Sequence, residues 1–163
     1  KNHTVDIVMS SVSITDERKS QVQFSDPYLY AGQVILTRKD NTSISTTDDL
    51  KGKRIAVQKG TTNEQQAREF TSGELVLLFD DYSLATQALL SASADAIFSD
   101  LTGAKGIIDA NPDLKVASEP FTKESYGIVF SPGENDLIPE VNSILNSLRQ
   151  QGVLTLLKQK WLD

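Results

Sequence analysis

The chain has 163 residues, which is enough for one ordinary domain or for two small lobes with a buried core. It carries 16 Lys and Arg residues against 22 Asp and Glu residues, with a formal net charge of -6, and the basic residues are scattered. Scattered positive charge cannot track a phosphate backbone, so we expect no nucleic-acid partner.

The apolar and reactive residues exclude further classes of protein. The longest uninterrupted apolar run covers residues 75–79, far short of the ~20 residues that a membrane helix needs, and we expect any export leader to have been removed or to lie upstream. The chain has no cysteine, which excludes disulfides, thiolate metal sites and cysteine nucleophiles. Its single histidine, His3, argues against a histidine-based catalytic triad or zinc site, although carboxylate chemistry stays open.

The chain begins with the pattern of a strand, a turn and a helix. Residues 6–9 predict a short buried strand, and small polar residues follow it. Thr15 suits the start of a helix because its hydroxyl can accept a hydrogen bond from the first turn. Residues 24–30 contain Pro27 and aromatic side chains, which predict an extended connection rather than a helix.

From residue 33 onward, predicted strands alternate with predicted helices. In chain order the pattern gives a strand at 33–37, a polar loop at 38–47, strands at 54–58, 75–79 and 95–98 with helices at 63–71 and 83–93 between them, a helix at 100–110, and strands at 114–117 and 126–130. Two helical segments separated by Gly152 end the chain, and the first carries an apolar stripe of Leu137, Val141, Ile144, Leu145 and Leu148. This alternation predicts an α/β fold with parallel-type central sheets.

Polar residues gather where three predicted strands end. In open α/β sheets ligands bind beyond the carboxyl ends of the strands, so these positions are the candidate site. The residues are Ser10, Ser11 and Ser13 with Arg18 one turn into the next helix, then Gly60, Thr61 and Thr62 at a helix start, and Ser99 with Asp100.

These residue types suit the two charges of a free amino acid. An α-carboxylate is well matched by the guanidinium of Arg18 and by the helix-end N–H groups of residues 60–62. An α-ammonium needs an anion and acceptors, which Asp100 and the Ser13 hydroxyl can supply. The residues therefore predict a clamp for a zwitterion.

Each of these positions also has a purely structural interpretation. Arg18 could pair with an acidic neighbour on its own helix, and the three serines could be turn and capping residues. The turn at residues 60–62 could be an ordinary strand-to-helix connection, and Asp100 could cap the helix that follows it.

Longer sequence segments resemble one protein family. Residues 10–18 read SSVSITDER and residues 24–28 read FSDPY, which resembles the SITxxR…FSxPY segment of the polar amino-acid-binding proteins of ABC importers. The likeness continues through DLKGKRIAVQKGTT at residues 49–62, ADAIFSD at residues 94–100, and LRQQG and KWL near the end. It covers essentially the whole chain.

The resemblance assigns roles to individual residues. It implies that Arg18 holds the ligand carboxylate, that the Thr62 N–H meets the same carboxylate, and that Asp100 binds the ammonium. Ser11 and Ser13 match the serines that the family carries just upstream of its arginine.

The resemblance is less specific about the ligand. It implies that Gln58 and Asn63 face the ligand side chain, that Ser99 lies next to Asp100, and that Ser10 lines the cleft wall. Because these groups are uncharged hydrogen-bonding groups, we expect glutamine as the first choice and arginine or another cationic amino acid as the second.

The resemblance also implies a periplasmic-binding-protein-like fold of two lobes that close about a hinge. We expect residues 1–31 and 122–163 to belong to lobe 1 and residues 32–121 to form lobe 2. The opening strands and helices of the usual first lobe are missing, so we expect an incomplete first lobe, self-association, and weak or absent affinity for amino acids.

The implied function is that of the substrate-binding component of an amino-acid importer. We expect an extracytoplasmic location, in the periplasm or at the cell surface as a lipoprotein, and the membrane subunits of an ABC transporter as partners. No catalysis, cofactor or metal is implied. Two alternatives stay open: a sensory input domain, and an enzyme on the same scaffold resembling cyclohexadienyl dehydratases.

Overall fold

The structure is a computed structural model that describes residues 5–133 and 136–162. His3 lies outside the described residues. The chain divides into two compact units. The first unit comprises Lys1–Ala31 and Glu124–Asp163, and the second comprises Gly32–Lys123.

The described residues form nine strands and six α-helices. The strands are β1 (Ile7–Ser13), β2 (Gln23–Phe24), β3 (Leu29–Ala31), β4 (Gln33–Arg38), β5 (Ile55–Gln58), β6 (Val76–Phe79), β7 (Ala96–Asp100), β8 (Leu114–Val116) and β9 (Glu124–Phe130). The helices are α1 (Asp16–Lys19), α2 (Thr62–Phe70), α3 (Tyr82–Leu90), α4 (Leu101–Ala110), α5 (Leu137–Gln150) and α6 (Val153–Leu162). Two short 3-10 turns, Thr47–Leu50 and Gly73–Leu75, precede β5 and β6.

The second unit is an α/β domain built on a mixed sheet of order β6-β5-β7-β4-β8. The predicted α/β class is confirmed, but the prediction of parallel-type sheets is only partly correct. β5 is parallel to β6 and β7, whereas β4 is antiparallel to both β7 and β8. Strands that run in the same direction need a crossover, which α2 provides from β5 to β6, α3 from β6 to β7 and α4 from β7 to β8. β4 is joined to β5 by a loop and a 3-10 turn, so no helix returns the chain in the same direction.

The first unit has an antiparallel sheet, which also differs from the prediction. β1, β2 and β3 each pair antiparallel with β9. The reason is that β1, β2 and β3 all run in one direction and share β9 as their partner, and β9 returns along them in the opposite direction.

The strand predicted at residues 6–9 is longer and more exposed than expected. β1 runs to Ser13, so the serines that were expected in a turn lie in the strand instead. Ile7, Val8 and Met9 are 47%, 38% and 60% exposed, which makes the prediction of a buried strand wrong. The cause is the position of β1 at the end of its sheet, where it pairs with β9 on one side.

The core of the second unit lies on both faces of its sheet. Val34 and Leu36 pack into one cluster with α3 and α4 residues, while Ile35 packs into the other with Phe98. Phe98 also contacts Phe121, with ring centroids 4.9 Å apart. Because both faces are covered, the strands read as continuous apolar runs, which is why their positions could be predicted well.

The first unit has a smaller core. Ile128, Phe130 and Leu145 form its buried cluster, with Tyr28, Ile138 and Val141 packed against it. The predicted apolar stripe of α5 is therefore only partly buried, since Ile144 is 58% exposed. Within the residues that the structure describes, no helix is long and apolar enough to cross a membrane.

An ion pair joins the starts of β5 and β7. One carboxylate oxygen of Asp95 accepts hydrogen bonds from the backbone N–H and Nε of Arg54 at 2.8 and 3.1 Å, and the other accepts from Nη2 at 2.8 Å. The hydrogen bond from the Arg54 side chain is the main reason that the pKa of Asp95 lies below its ordinary value of 3.8. The pair therefore holds two parallel strands in register at the end opposite their polar termini.

We expect Asp95→Asn to lower the free energy of unfolding by about 1–2 kcal/mol at pH 7, because a charge-assisted contact is lost and the pair is partly screened. A depressed pKa in the folded state stabilises the fold at pH values above the unfolded pKa, and this contribution is lost as the pH falls through the folded value. The difference between the variant and the original chain should therefore shrink below about pH 4. Urea unfolding at pH 7 and pH 3 measures it.

The matched control is Asp109→Asn, since Asp109 makes only a 3.9 Å surface contact with Lys105 in the same unit. It should change stability by less than about 0.5 kcal/mol at either pH. Equal losses in the two variants would contradict a structural role for the Arg54–Asp95 pair.

Candidate functional site

The turn between β5 and α2 is held in one conformation by its own hydrogen bonds. Thr61 is the N-cap of α2, and its hydroxyl donates to the Gln58 carbonyl at 2.7 Å and accepts from the Glu64 N–H at 3.4 Å. Gly60 has a φ of 75° and donates its N–H to the Glu64 carboxylate at 2.9 Å. The hydrogen bonds from Arg68 and from Gly60 lower the pKa of Glu64. The N-terminus of α2 therefore starts from a rigid turn.

Asp100 lies at the end of β7 and directly before α4. Its side chain makes no capping hydrogen bond to α4, so the purely structural interpretation of Asp100 as a helix cap is not supported. Instead its Oδ1 accepts a hydrogen bond from Asn63 Nδ2 at 3.0 Å. Asn63 is in the first turn of α2, and thus the carboxylate is turned toward the N-terminus of that helix.

Sequence reasoning missed Gln33, which completes this cluster. Gln33 is 1% exposed, pairs with Asp100 in the register of β4 and β7, and donates from Nε2 to the Thr62 hydroxyl at 3.2 Å. The sequence signal that could have identified Gln33 is its amide at the first position of a predicted strand that continues with Val, Ile and Leu. The structure therefore brings Gln33, Thr62, Asn63 and Asp100 together inside the second unit.

The other two predicted side chains of the second unit, Ser99 and Gln58, make different contacts, and Asn63 keeps one buried acceptor. Ser99 is 1% exposed and donates to the Asp100 carbonyl at 3.2 Å, so it is enclosed within the unit. Gln58 donates from Nε2 to the Asp80 carbonyl at 3.0 Å, which links the ends of β5 and β6. Asn63 is 3% exposed, and its Oδ1 has no hydrogen-bond partner among the described residues.

In the first unit, Arg18 turns back toward β1. Its Nη1 donates to the Ser13 carbonyl at 3.0 Å, and Thr15 caps α1 by accepting from the Arg18 N–H at 3.2 Å. The ion pair on α1 is formed by Lys19 and Asp16, 3.2 Å apart. Arg18 is thus oriented by the main chain of the predicted serine segment rather than by an acid on its own helix.

The three serines of β1 have different surroundings. Ser13 is buried and donates its hydroxyl hydrogen to Glu124. Ser11 has a φ of 50° and donates its N–H to the Tyr28 hydroxyl at 3.1 Å, at an irregularity in the pairing of β1 with β9. Ser10 is exposed.

Glu124 and Tyr28 were also missed by sequence reasoning. Tyr28 belongs to the FSDPY segment, which assigned it no role at the site. Glu124 follows Ser13 by 111 residues, so neither spacing nor periodicity connects it to the serines. Among the described residues, no group of three or more His, Asp or Glu side chains could hold a metal ion.

Comparison with known proteins gives consistent matches. A family model described as bacterial extracellular solute-binding proteins, family 3, matches residues 1–163. The chain is 34% identical over 162 residues to the ABC transporter glutamine-binding protein GlnH of Bacillus subtilis, covering 99% of this chain and 59% of that protein. It is 35% identical over 159 residues to the L-cystine-binding protein TcyJ of Escherichia coli, covering 96% of this chain and 60% of that protein.

Solved structures give the same result for the fold. A mutant of ArgBP from T. maritima is similar with a TM-score of 0.87 and 39% identity, covering 98% of this chain and 69% of that chain. The present chain spans about 60% of the length of the two curated relatives, GlnH and TcyJ.

The positive φ of Gly60 gives a test of the turn in the second unit. We expect Gly60→Ala to lower the free energy of unfolding by about 1 kcal/mol, because a Cβ is disfavoured in the left-handed region even where space is free. Gly106→Ala is the matched control in α4, where a Cβ also meets open space but φ is not positive. It should stabilise the fold by up to about 1 kcal/mol, since alanine favours helix. Urea denaturation distinguishes the two, and a stabilising Gly60→Ala would contradict the left-handed turn.

Proposed function

The chain belongs to the bacterial extracellular solute-binding proteins, family 3, and from this premise we propose that it is the larger part of a substrate-binding component of an amino-acid ABC importer. It binds a polar amino acid by hinge closure of two lobes and performs no chemistry on it. We propose an extracytoplasmic location, in the periplasm or at the cell surface as a lipoprotein, with the membrane subunits of the importer as partners. Lobe 1 is formed by residues 1–31 and 122–163, and lobe 2 by residues 32–121.

The observation that carries this proposal is the orientation of two opposite charges by neighbouring groups. Arg18 is held by the Ser13 carbonyl at 3.0 Å, and Asp100 is held by Asn63 at 3.0 Å without capping its helix. A charge that is already oriented loses less conformational freedom when its ligand arrives, so part of the cost of binding is removed in advance. Such a pair suits a ligand that carries both an anion and a cation.

We propose the following roles for the remaining polar residues. The N–H groups of Thr61 and Thr62 meet the ligand carboxylate together with Arg18, because a helix N-terminus favours negative charge. Gly60, whose N–H is donated to Glu64 at 2.9 Å, shapes the turn that presents them. The ligand ammonium is bound by Asp100 and by Ser13, with Ser11 beside it. Gln58 and Asn63 face the ligand side chain, Ser10 lines the cleft wall, and Ser99 lies next to Asp100.

Glutamine is the proposed ligand, with arginine or another cationic amino acid second. The side chains assigned to the ligand side chain are neutral amides and hydroxyls, which can satisfy an amide but leave a cation without a carboxylate. The names of the relatives support a choice among polar amino acids, since one is named for glutamine and another for cystine.

The clamp predicts that removal of either charge weakens binding. We expect this chain to bind glutamine weakly, because the described residues supply the groups for the ligand backbone and few for its side chain. Arg18→Ala and Asp100→Ala should each weaken that binding by at least tenfold, since truncating one partner of a charge pair leaves the other charge unpaired. Two-dimensional NMR titration of the chain with L-glutamine and L-arginine measures weak dissociation constants directly.

Two matched variants serve as controls for this titration. Lys19→Ala removes a cation from the same short helix as Arg18. Asp109→Ala removes an anion from α4, the helix that follows Asp100. Both should bind like the original chain. Undiminished affinity in Arg18→Ala or Asp100→Ala would contradict the clamp, and nanomolar one-to-one binding by the monomer would contradict the expected weak affinity.

We also propose that a second copy of this chain covers the exposed part of β1. Ile7, Val8 and Met9 leave both faces of the strand in contact with water, and the strand contains none of the charged residues that usually protect a sheet edge. Antiparallel pairing of two β1 edges about a two-fold axis is self-complementary and continues both sheets.

Met9→Lys should shift the chain toward the monomer, because an exposed charge on the edge strand opposes pairing. Light scattering coupled to gel filtration over a range of concentrations measures the mass. Leu84→Lys, at an exposed apolar position of α3 in the second unit, is the matched control and should leave the mass unchanged. A strictly monomeric original chain at high concentration would refute this association.

A further inference from the structure

Ser13 is held at both of its polar groups, the carbonyl and the hydroxyl. Its carbonyl accepts from Arg18 Nη1 at 3.0 Å, and its hydroxyl donates to the Glu124 carboxylate. Ser13 is only 3% exposed, so water does not compete freely for the hydroxyl hydrogen. Both contacts lie inside the first unit.

The backbone fixes the distance between Ser13 and Glu124. Ser13 is the last residue of β1 and pairs with Tyr126 of β9, and the N–H of Ile14 donates to the Ser125 carbonyl at 2.8 Å. Glu124 begins β9 and pairs with Ala31 on its other side. Since strands on both sides hold β9, the carboxylate is presented to Ser13 by the sheet rather than by a loop.

The contact with Glu124 fixes the direction in which the Ser13 hydroxyl donates its hydrogen. A hydroxyl has one hydrogen to donate and two lone pairs that accept, whereas an ionised carboxylate only accepts. The hydrogen between the two residues therefore belongs to Ser13 and points at Glu124. What Ser13 keeps for any other partner is acceptor capacity alone.

We propose that Glu124 is a positioning residue that reserves the Ser13 oxygen for the α-ammonium of the bound amino acid. An ammonium group carries donors and no acceptor, so it matches an oxygen whose own hydrogen is already committed. Without Glu124 the hydroxyl could rotate and donate to the ligand carboxylate instead, and the site would distinguish less well between an amino acid and the same molecule without its amino group. This inference rests on the proposed function, since it names how one group of that site recognises the ligand.

The test compares L-glutamine with 4-carbamoylbutanoate, which is the same molecule with hydrogen in place of the ammonium. NMR titration gives the ratio of the two dissociation constants for the original chain, Glu124→Leu, Ser13→Ala and the double variant. We expect Glu124→Leu, which offers the Ser13 hydroxyl no acceptor, to reduce the preference for glutamine about tenfold, which corresponds to one oriented hydrogen bond. In the Ser13→Ala background the same change should have no further effect, because the hydroxyl through which Glu124 acts is gone.

Glu140→Leu is the control, because Glu140 is an exposed acid of α5 in the same unit, and it should leave the ratio unchanged. An unchanged ratio in Glu124→Leu, with or without a loss of stability, would mean that Glu124 has only a structural role and would overturn the inference. An effect that persists in Ser13→Ala would mean direct contact between Glu124 and the ligand, and would overturn it as well.

The proposed function can fail separately from this inference. If the original chain binds neither compound, or binds both equally, then no amino-acid site exists here and the role of Glu124 fails with it. If the original chain prefers glutamine, and the Glu124 variant shows the same ratio of dissociation constants as the Glu140 control, then the clamp stands and the inference alone is wrong.

Discussion

The hydrogen bond from Asn63 to Asp100 is the constraint on which the candidate site depends. A carboxylate that directly precedes a helix normally caps that helix, because the free N–H groups of the first turn attract it. Asp100 makes no such cap, and its Oδ1 accepts from Asn63 Nδ2 at 3.0 Å. The carboxylate is thereby directed across the sheet to the start of α2, where Thr62 is held by Gln33. A negative charge and a helix N-terminus thus meet at one edge of the sheet, where this amide joins them.

The mixed topology of the second unit explains why these groups converge. β5 and β7 are parallel, so Gln58 and Asp100 end at the same edge of the sheet. β4 runs the other way, and so its first residue, Gln33, lies at that edge opposite Asp100. An all-parallel sheet would have placed the start of this strand at the far end, where the Arg54–Asp95 pair lies. The reversed strand thus contributes its first residue to a site otherwise built from strand ends.

Sequence reasoning located most elements of the second unit to within two or three residues, and it proposed Arg18, Thr62 and Asp100 as site residues from their places at strand ends and helix starts. These features are local, since each depends on neighbours a few positions away. It failed for β1, whose apolar residues suggested burial although no described strand lies on its outer side. It also failed for Gln33 and Glu124, whose partners are 29 and 111 residues away. Contacts of that kind follow from the pairing of strands, which no periodicity in one segment reveals.

The residues proposed to bind the main-chain part of the ligand differ from those proposed to bind its side chain. Arg18, Asp100, Ser13 and the turn before α2 present charges and hydrogen-bonding groups that suit the main-chain part of an amino acid, which all amino acids share. Gln58 and Asn63 are the side chains assigned to the variable part, and both are already engaged, with the Asp80 carbonyl and with the Asp100 carboxylate. Each amide nitrogen donates a hydrogen to its internal contact, whereas Asn63 Oδ1 has no hydrogen-bond partner among the described residues and can accept from a ligand. In the proposed site, more groups are therefore assigned to the part that all amino acids share than to the variable side chain. That division agrees with a family whose members are named for glutamine and for cystine on one scaffold.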